Sequence, residues 1–85
     1  MPELCRFMGI VIRMYRREHP PPHFHATYAE HEATYTFDGV CLEGELPRNQ
    51  DRLVREWAEL HHDDLERCWE RATSDEDLGT IEPLP

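Results

Sequence analysis

Two neighbouring runs in the first half of the chain alternate apolar and polar side chains with a period of two. These runs span residues 23–28 and 31–37, and such alternation is typical of β-strands that bury one face. The apolar sets are Phe24, Ala26 and Tyr28 in the first run and Ala33, Tyr35 and Phe37 in the second. Ala29 and Glu30 predict a turn between the runs, so we expect an antiparallel pair whose apolar faces coincide.

Three other short runs also favour strands. Residues 4–8 and 10–15 are rich in β-branched, aromatic and other large apolar side chains, and Gly9 separates them. This arrangement predicts a β-hairpin. Residues 40–42 follow an Asp-Gly turn signal at 38–39 and predict a short further strand.

The pattern changes to a spacing of three and four residues from Pro47 to residue 73, where neither glycine nor a second proline interrupts it. The apolar stripe comprises Leu53, Val54, Trp57, Leu60, His61, Leu65, Cys68, Trp69 and Ala72. This spacing predicts one long helix that begins at Pro47, where a missing N–H costs nothing. A bend is compatible with the sequence at 61–64, because Asp63 is a good cap for a second helix.

Together these patterns predict an α+β fold in which a small antiparallel sheet of four to five strands packs on one long C-terminal helix. Residues 1–85 are expected to form a single domain, because a second domain would leave both too small to bury a core. Within it, residues 1–43 form the β-rich half, 47–73 the helix, and 74–85 a C-terminal tail or edge strand.

Charge and cysteine content narrow the class of protein. The formal net charge is −9, which opposes direct binding to nucleic acid, although residues 1–17 carry four arginines against one glutamate. The three cysteines are far apart and form no metal-binding or disulfide pattern.

No apolar run approaches the length of a membrane span or a signal peptide, so we expect a cytoplasmic protein without a membrane anchor. The thin core expected of so short a chain favours a small partner protein or a homodimer.

Histidines supply the candidate chemistry. His23 and His25 stand two residues apart on one predicted strand, so their imidazoles are expected on the same side of the sheet. Two imidazoles placed in this way can share a divalent metal ion, and His19 is the nearest further histidine before them. A carboxylate such as Glu18 or Glu32 is an alternative third ligand. We therefore take His19, His23 and His25 as the metal candidates, and expect no other cofactor.

The same two histidines support two other interpretations. With Arg16 or Arg17 holding a phosphate, His23 and His25 have the residue types needed for acid and base in phosphodiester cleavage, so these four are the catalytic candidates. In the simpler interpretation, the histidines are half-buried and make hydrogen bonds that secure the sheet. The sequence does not decide between these interpretations or establish that the protein is an enzyme.

The chain resembles a family of small uncharacterised bacterial and archaeal proteins, classed as a domain of unknown function. The resemblance is carried by a Pro-Pro-His-φ-His-φ-x-Tyr strand at 21–28, by 42–47 and by 81–84. It also includes the helix residues Trp57, Leu60, His61, Leu65 and Trp69. Family members often have glycine after the tyrosine, where this chain has Ala29.

The resemblance implies no established activity. Members are commonly encoded beside a second small protein, and some are catalogued as components or regulators of toxin–antitoxin type. We therefore expect a small cytoplasmic interaction or regulatory protein that forms one half of a two-protein module. A histidine-dependent metal-binding or phosphodiester-cleaving protein is the alternative.

Overall fold

The computed structural model describes residues 3–74 and 76–84. Five strands precede two helices. The strands are β1 (Glu3–Phe7), β2 (Ile10–Arg13), β3 (His23–Tyr28), β4 (His31–Thr36) and β5 (Cys41–Glu45), and the helices are α1 (Arg48–Leu60) and α2 (His62–Thr73). The strands form one antiparallel sheet in the order β1-β2-β3-β4-β5, so each strand pairs with its neighbours in sequence. The predicted α+β class and small antiparallel sheet are confirmed.

The central pair β3 and β4 has the predicted faces. Phe24 is paired with Tyr35, and Ala26 with Ala33, and all four are buried. The rings of Phe24 and Tyr35 stack with centroids 5.7 Å apart. Because adjacent residues in a strand point to opposite faces, His23 and His25 lie on the opposite face of β3 from Phe24.

The prediction of one long helix is wrong. The helical segment breaks at His61, whose backbone angles of φ −111° and ψ 27° are not helical, and α1 and α2 lie on either side. Asp63 does not cap α2 as predicted, because His61 occupies the cap position; Asp63 and Asp64 instead lie in its first turn. A helix of about 25 residues would be ~38 Å long. The folded domain spans 34 Å in its longest direction, which is shorter than such a helix.

The C-terminal tail covers the outer edge of the sheet at β1. Its described residues form no strand, but the Ile81 N–H donates to the Leu4 carbonyl over 2.8 Å. Leu78 and Ile81 are buried in the core. The predicted tail 74–85 also includes residues 75 and 85, which lie outside the described part of the chain.

Neither α1 nor α2 can cross a bilayer. They contain 13 and 12 residues, and no helix in the described ranges combines the length and apolar character that a membrane span requires.

Candidate functional site

The loop between β2 and β3 brings a carboxylate to the two histidines of β3. His23 and His25 project to the same side of their strand, and their ring centroids lie 5.3 Å apart. Glu18 reaches both rings: Oε2 is 3.1 Å from Nε2 of His23, and Oε1 is 2.7 Å from Nε2 of His25. One carboxylate thus bridges two imidazoles through equivalent ring atoms.

The hydrogen bond made by the other ring nitrogen of His23 fixes, in the neutral ring, the protonation of the nitrogen that faces Glu18. Nδ1 lies 2.7 Å from the carbonyl oxygen of Pro21. A carbonyl oxygen only accepts hydrogen bonds, so Nδ1 must carry a proton. In a neutral ring, Nε2 is then an unprotonated acceptor that faces an oxygen of Glu18. The contact becomes attractive when a cation lies there, either a second proton on the ring or a metal ion.

The surroundings of the three side chains are partly closed to water. The exposed fractions of the side chains are 11% for His23, 20% for His25 and 24% for Glu18. Trp69 of α2 packs against the His23 ring at 5.5 Å between centroids. On the other side, the Tyr15 ring meets His25 edge-on at 4.7 Å. These contacts pack the two imidazoles against aromatic neighbours, while each side chain keeps a fraction of its surface exposed.

The two histidines hold the Glu18 carboxyl group in its ionised form. Burial raises the pKa of its carboxyl group, but hydrogen bonds and charge interactions with His25 and His23 lower it by more. The pKa therefore lies below its ordinary value, and the group is ionised at neutral pH.

The geometry matches a metal site with two imidazoles and one carboxylate. One ligand atom from each of Glu18, His23 and His25 lies within 4.8 Å of the other two. Ligand atoms ~2.1 Å from a tetrahedral metal ion lie about 3.4 Å from one another, so little movement is needed to accommodate an ion. Such a three-residue set leaves an open coordination position for water or a substrate.

The structure brings together some of the predicted residues and not others. His23 and His25 converge as expected, and the side chain that lies with them is Glu18, one of the two carboxylates considered as alternatives, rather than His19. His19 is exposed, and it does not belong to any convergent ligand set within the described residues. Arg16 and Arg17 are exposed in the turn directly before Glu18.

Sequence reasoning missed three features of the site: the Pro21 carbonyl, the edge contact of Tyr15 and the packing of Trp69. The sequence offered Glu18 and Glu32 equally as alternatives to His19, and no local pattern chose between them. The contact with Trp69 joins α2 to β3 across 46 positions in sequence, a separation that no local pattern encodes.

Two other polar features lie elsewhere. His62 has Nε2 at 3.2 Å from an oxygen of Asp38 and Nδ1 at 3.2 Å from one of Glu66, which links the β4–β5 connection to α2. A cavity of about 600 Å³ lies over α1 and is lined in part by arginines already paired with acids: Arg52 with Glu56, and Arg55 with Asp51. Its size does not make it the better candidate, because these two ion pairs lie on an open surface and leave their arginines engaged.

Comparisons with known proteins identify a family but no activity. The sequence model described as "Domain of unknown function (DUF4160)" matches residues 9–70. The matched range includes the whole of the Glu18, His23 and His25 cluster. Searches of curated proteins and of solved structures return no match.

Proposed function

The chain belongs to the family that shares the domain of unknown function DUF4160, and we propose that its candidate site binds a divalent transition metal ion through Glu18, His23 and His25. One observation carries this proposal. The Nδ1–H of His23 donates to the Pro21 carbonyl, which aims the opposite nitrogen at the Glu18 carboxylate. Metal-binding histidines are commonly oriented by this kind of hydrogen bond from the distal nitrogen.

The ligand set defines the chemistry that a bound ion would supply. Imidazole nitrogens together with one carboxylate oxygen suit Zn²⁺ and Fe²⁺ better than Ca²⁺ or Mg²⁺, which prefer oxygen ligands alone. Held by these three residues, such an ion would supply Lewis-acid chemistry at an open coordination position. Glu18 takes the place of His19 in the metal set suggested by the sequence.

The competing structural interpretation is that His23 is doubly protonated and forms an ion pair with Glu18. Titration of chelator-treated protein with Zn²⁺ separates the two interpretations, because an ion pair alone needs no metal. We expect stoichiometric binding of one ion. We also expect Glu18→Gln, His23→Ala and His25→Ala each to weaken affinity roughly 10-fold or more, since each removes one of three ligands.

His19→Ala is the matched control, because it removes a neighbouring exposed histidine and leaves the three proposed ligands intact. Its zinc affinity should equal that of the unaltered protein. Circular dichroism establishes that each variant is folded. An unaltered protein that does not bind zinc, or binding that is insensitive to Glu18→Gln, would refute the proposal.

A second candidate function is that of a cytoplasmic interaction or regulatory protein, one half of a two-protein module of toxin–antitoxin type. The unequal sheet edges favour it: the tail covers β1, whereas β5 pairs with β4 alone among residues 3–74 and 76–84. Val40 and Leu42, beside and within β5, are 55% and 47% exposed. Open edges with apolar side chains are natural sites for a partner chain.

Co-expression with the product of the adjacent gene tests this second function. We expect the two proteins to elute together at micromolar concentration. Light scattering on the isolated chain distinguishes a homodimer from a monomer. Separate elution of the two proteins, together with a monomeric mass for this chain, would contradict the proposed partnership.

A further inference from the structure

Positive charge is concentrated beside the Glu18, His23 and His25 cluster, although the chain as a whole is acidic. Of the four arginines in residues 1–17, Arg6 is neutralised by Glu3, with the charged groups 2.9 Å apart. Arg13 lies at the end of β2, and Arg16 lies in the turn that leads to Glu18. This segment is the part of the chain that carries the cluster's third ligand.

The fold places Arg13 next to His25. The two residues are opposite one another in the β2–β3 register. Arg13 donates from Nη1 to the Thr27 hydroxyl over 3.4 Å, and Thr27 lies on the same face of β3 as His25. Directly opposed side chains lie roughly 5 Å apart at Cβ, so Arg13 is a neighbour of His25, and its guanidinium lies on the Thr27 side of that ring.

The turn that carries Arg16 is held against the cluster at both ends. Tyr15, on one side of the turn, contacts the His25 ring, and Glu18, on the other, contacts both histidines. Arg16 itself is exposed, and the structure gives its guanidinium no carboxylate partner within residues 3–74 and 76–84. Its charge is therefore available to a ligand at the site.

The other side of the cluster has the opposite charge. In the cross-strand row that contains His25, the next positions are Thr34 on β4 and Glu43 on β5. A cavity lined by His25, Thr34 and Glu43 also includes Glu32. These carboxylates repel an anion on the β4–β5 side, so an anionic ligand is directed to the side of Arg13 and Arg16.

Resting on the metal site proposed above, we propose that the open metal position binds a phosphate group, as a free ion or as an ester, with Arg13 and Arg16 holding its remaining oxygens. A divalent ion with one carboxylate and two neutral imidazoles keeps a net charge of about +1. Guanidinium groups bind phosphate oxygens in a planar, often bidentate arrangement. The overall charge of −9 disfavours a long polyanion, so a small phosphate compound fits better than an extended nucleic acid.

Calorimetric titration of the zinc-loaded protein with inorganic phosphate tests this inference, with zinc not in excess of protein. Phenyl phosphate and diphenyl phosphate then separate a monoester from a diester ligand. We expect Arg16→Gln and Arg13→Gln each to weaken phosphate binding roughly 10-fold, as loss of a charge-assisted hydrogen bond does. Arg48→Gln, at an exposed arginine on α1, is the control and should leave it unchanged.

Zinc affinity measured on the same variants separates the two proposals. Unchanged zinc affinity with weakened phosphate binding supports the inference. The inference is overturned if the zinc-loaded protein does not bind phosphate. It is also overturned if the unaltered protein and the Arg16→Gln variant bind phosphate equally. In both cases the proposed metal site remains supported by zinc binding. A protein that does not bind zinc overturns both. Because Arg16 is exposed, its variant remains informative even if Arg13→Gln proves unstable.

Discussion

Replacing Trp57 with alanine should lower the free energy of unfolding by about 3–5 kcal/mol, the usual cost of removing a large buried aromatic side chain. Trp57 is fully buried, and its ring packs against Phe7 and Phe24 with centroids 6.1 and 5.6 Å away. Its indole N–H donates to the Glu82 carbonyl over 2.8 Å and so ties the C-terminal tail to α1. One side chain therefore joins the helix, the sheet and the tail.

The loss should be measured by urea denaturation followed by circular dichroism, because the substitution removes a fluorophore. Small domains have a total stability of roughly 5–15 kcal/mol, so the variant should be partly unfolded at ambient temperature if the protein lies near the lower limit. Phe24 stands between His23 and His25 on β3, so zinc binding should weaken in proportion to the unfolded fraction.

Two controls identify the source of the effect. Trp57→Phe retains an aromatic ring and loses the hydrogen bond to Glu82, so it should cost less than Trp57→Ala. Leu60→Ala lies on the same helix, but Leu60 is 59% exposed, and its loss should be close to neutral. Equal losses in Trp57→Ala and Leu60→Ala would contradict the assigned core.

The sheet could be predicted from the sequence because its signals are local. Alternation across 23–28 sets both the bounds of β3 and the face of each side chain, and the structure has a strand with those bounds. The meander topology adds to this, since every strand pairs with its sequence neighbour and no long connection has to be inferred. Local patterns are sufficient where contacts are local.

In the helical half, local sequence patterns did not predict the break between α1 and α2. A spacing of three and four residues continues through His61, so periodicity alone extends one helix from Pro47 to residue 73. The structure nevertheless breaks at His61, and buried side chains lie on both sides of the break, Trp57 in α1 and Leu65 in α2. The position of the break is a property of the assembled core and is not visible in the period of the sequence.

The candidate site contains one feature that strand spacing predicts and two that depend on loop conformation. The shared side of His23 and His25 follows from their spacing on a strand. The choice of Glu18 over His19 depends on the path of the loop between β2 and β3, which irregular backbone determines and no periodicity encodes. The hydrogen bond from His23 to the Pro21 carbonyl likewise depends on loop conformation rather than on residue type.

Replacing Gly44 with alanine should cost about 3 kcal/mol of stability, which is the second-largest effect expected. Gly44 lies within β5 with φ of +76°, a conformation that costs other residues about 1–2 kcal/mol. A Cβ atom there would also lie 3.0 Å from the Ala33 Cα atom and inside contact distance of the Glu32 carbonyl oxygen. Both atoms are backbone of β4, so the clash is relieved only if the two strands separate.

Gly39→Ala is the matched control for this clash. Gly39 has a similar φ of +83°, but a Cβ atom there would meet its nearest neighbour, Cβ of Arg55, at an ordinary 3.6 Å. It should therefore show only the conformational cost of about 1–2 kcal/mol. The difference between the two variants in urea denaturation measures how closely β5 approaches β4, and equal losses would refute that approach. Because β5 is the open edge of the sheet, Gly44→Ala should also weaken the binding of a partner at that edge. Zinc binding at β3 should be unchanged.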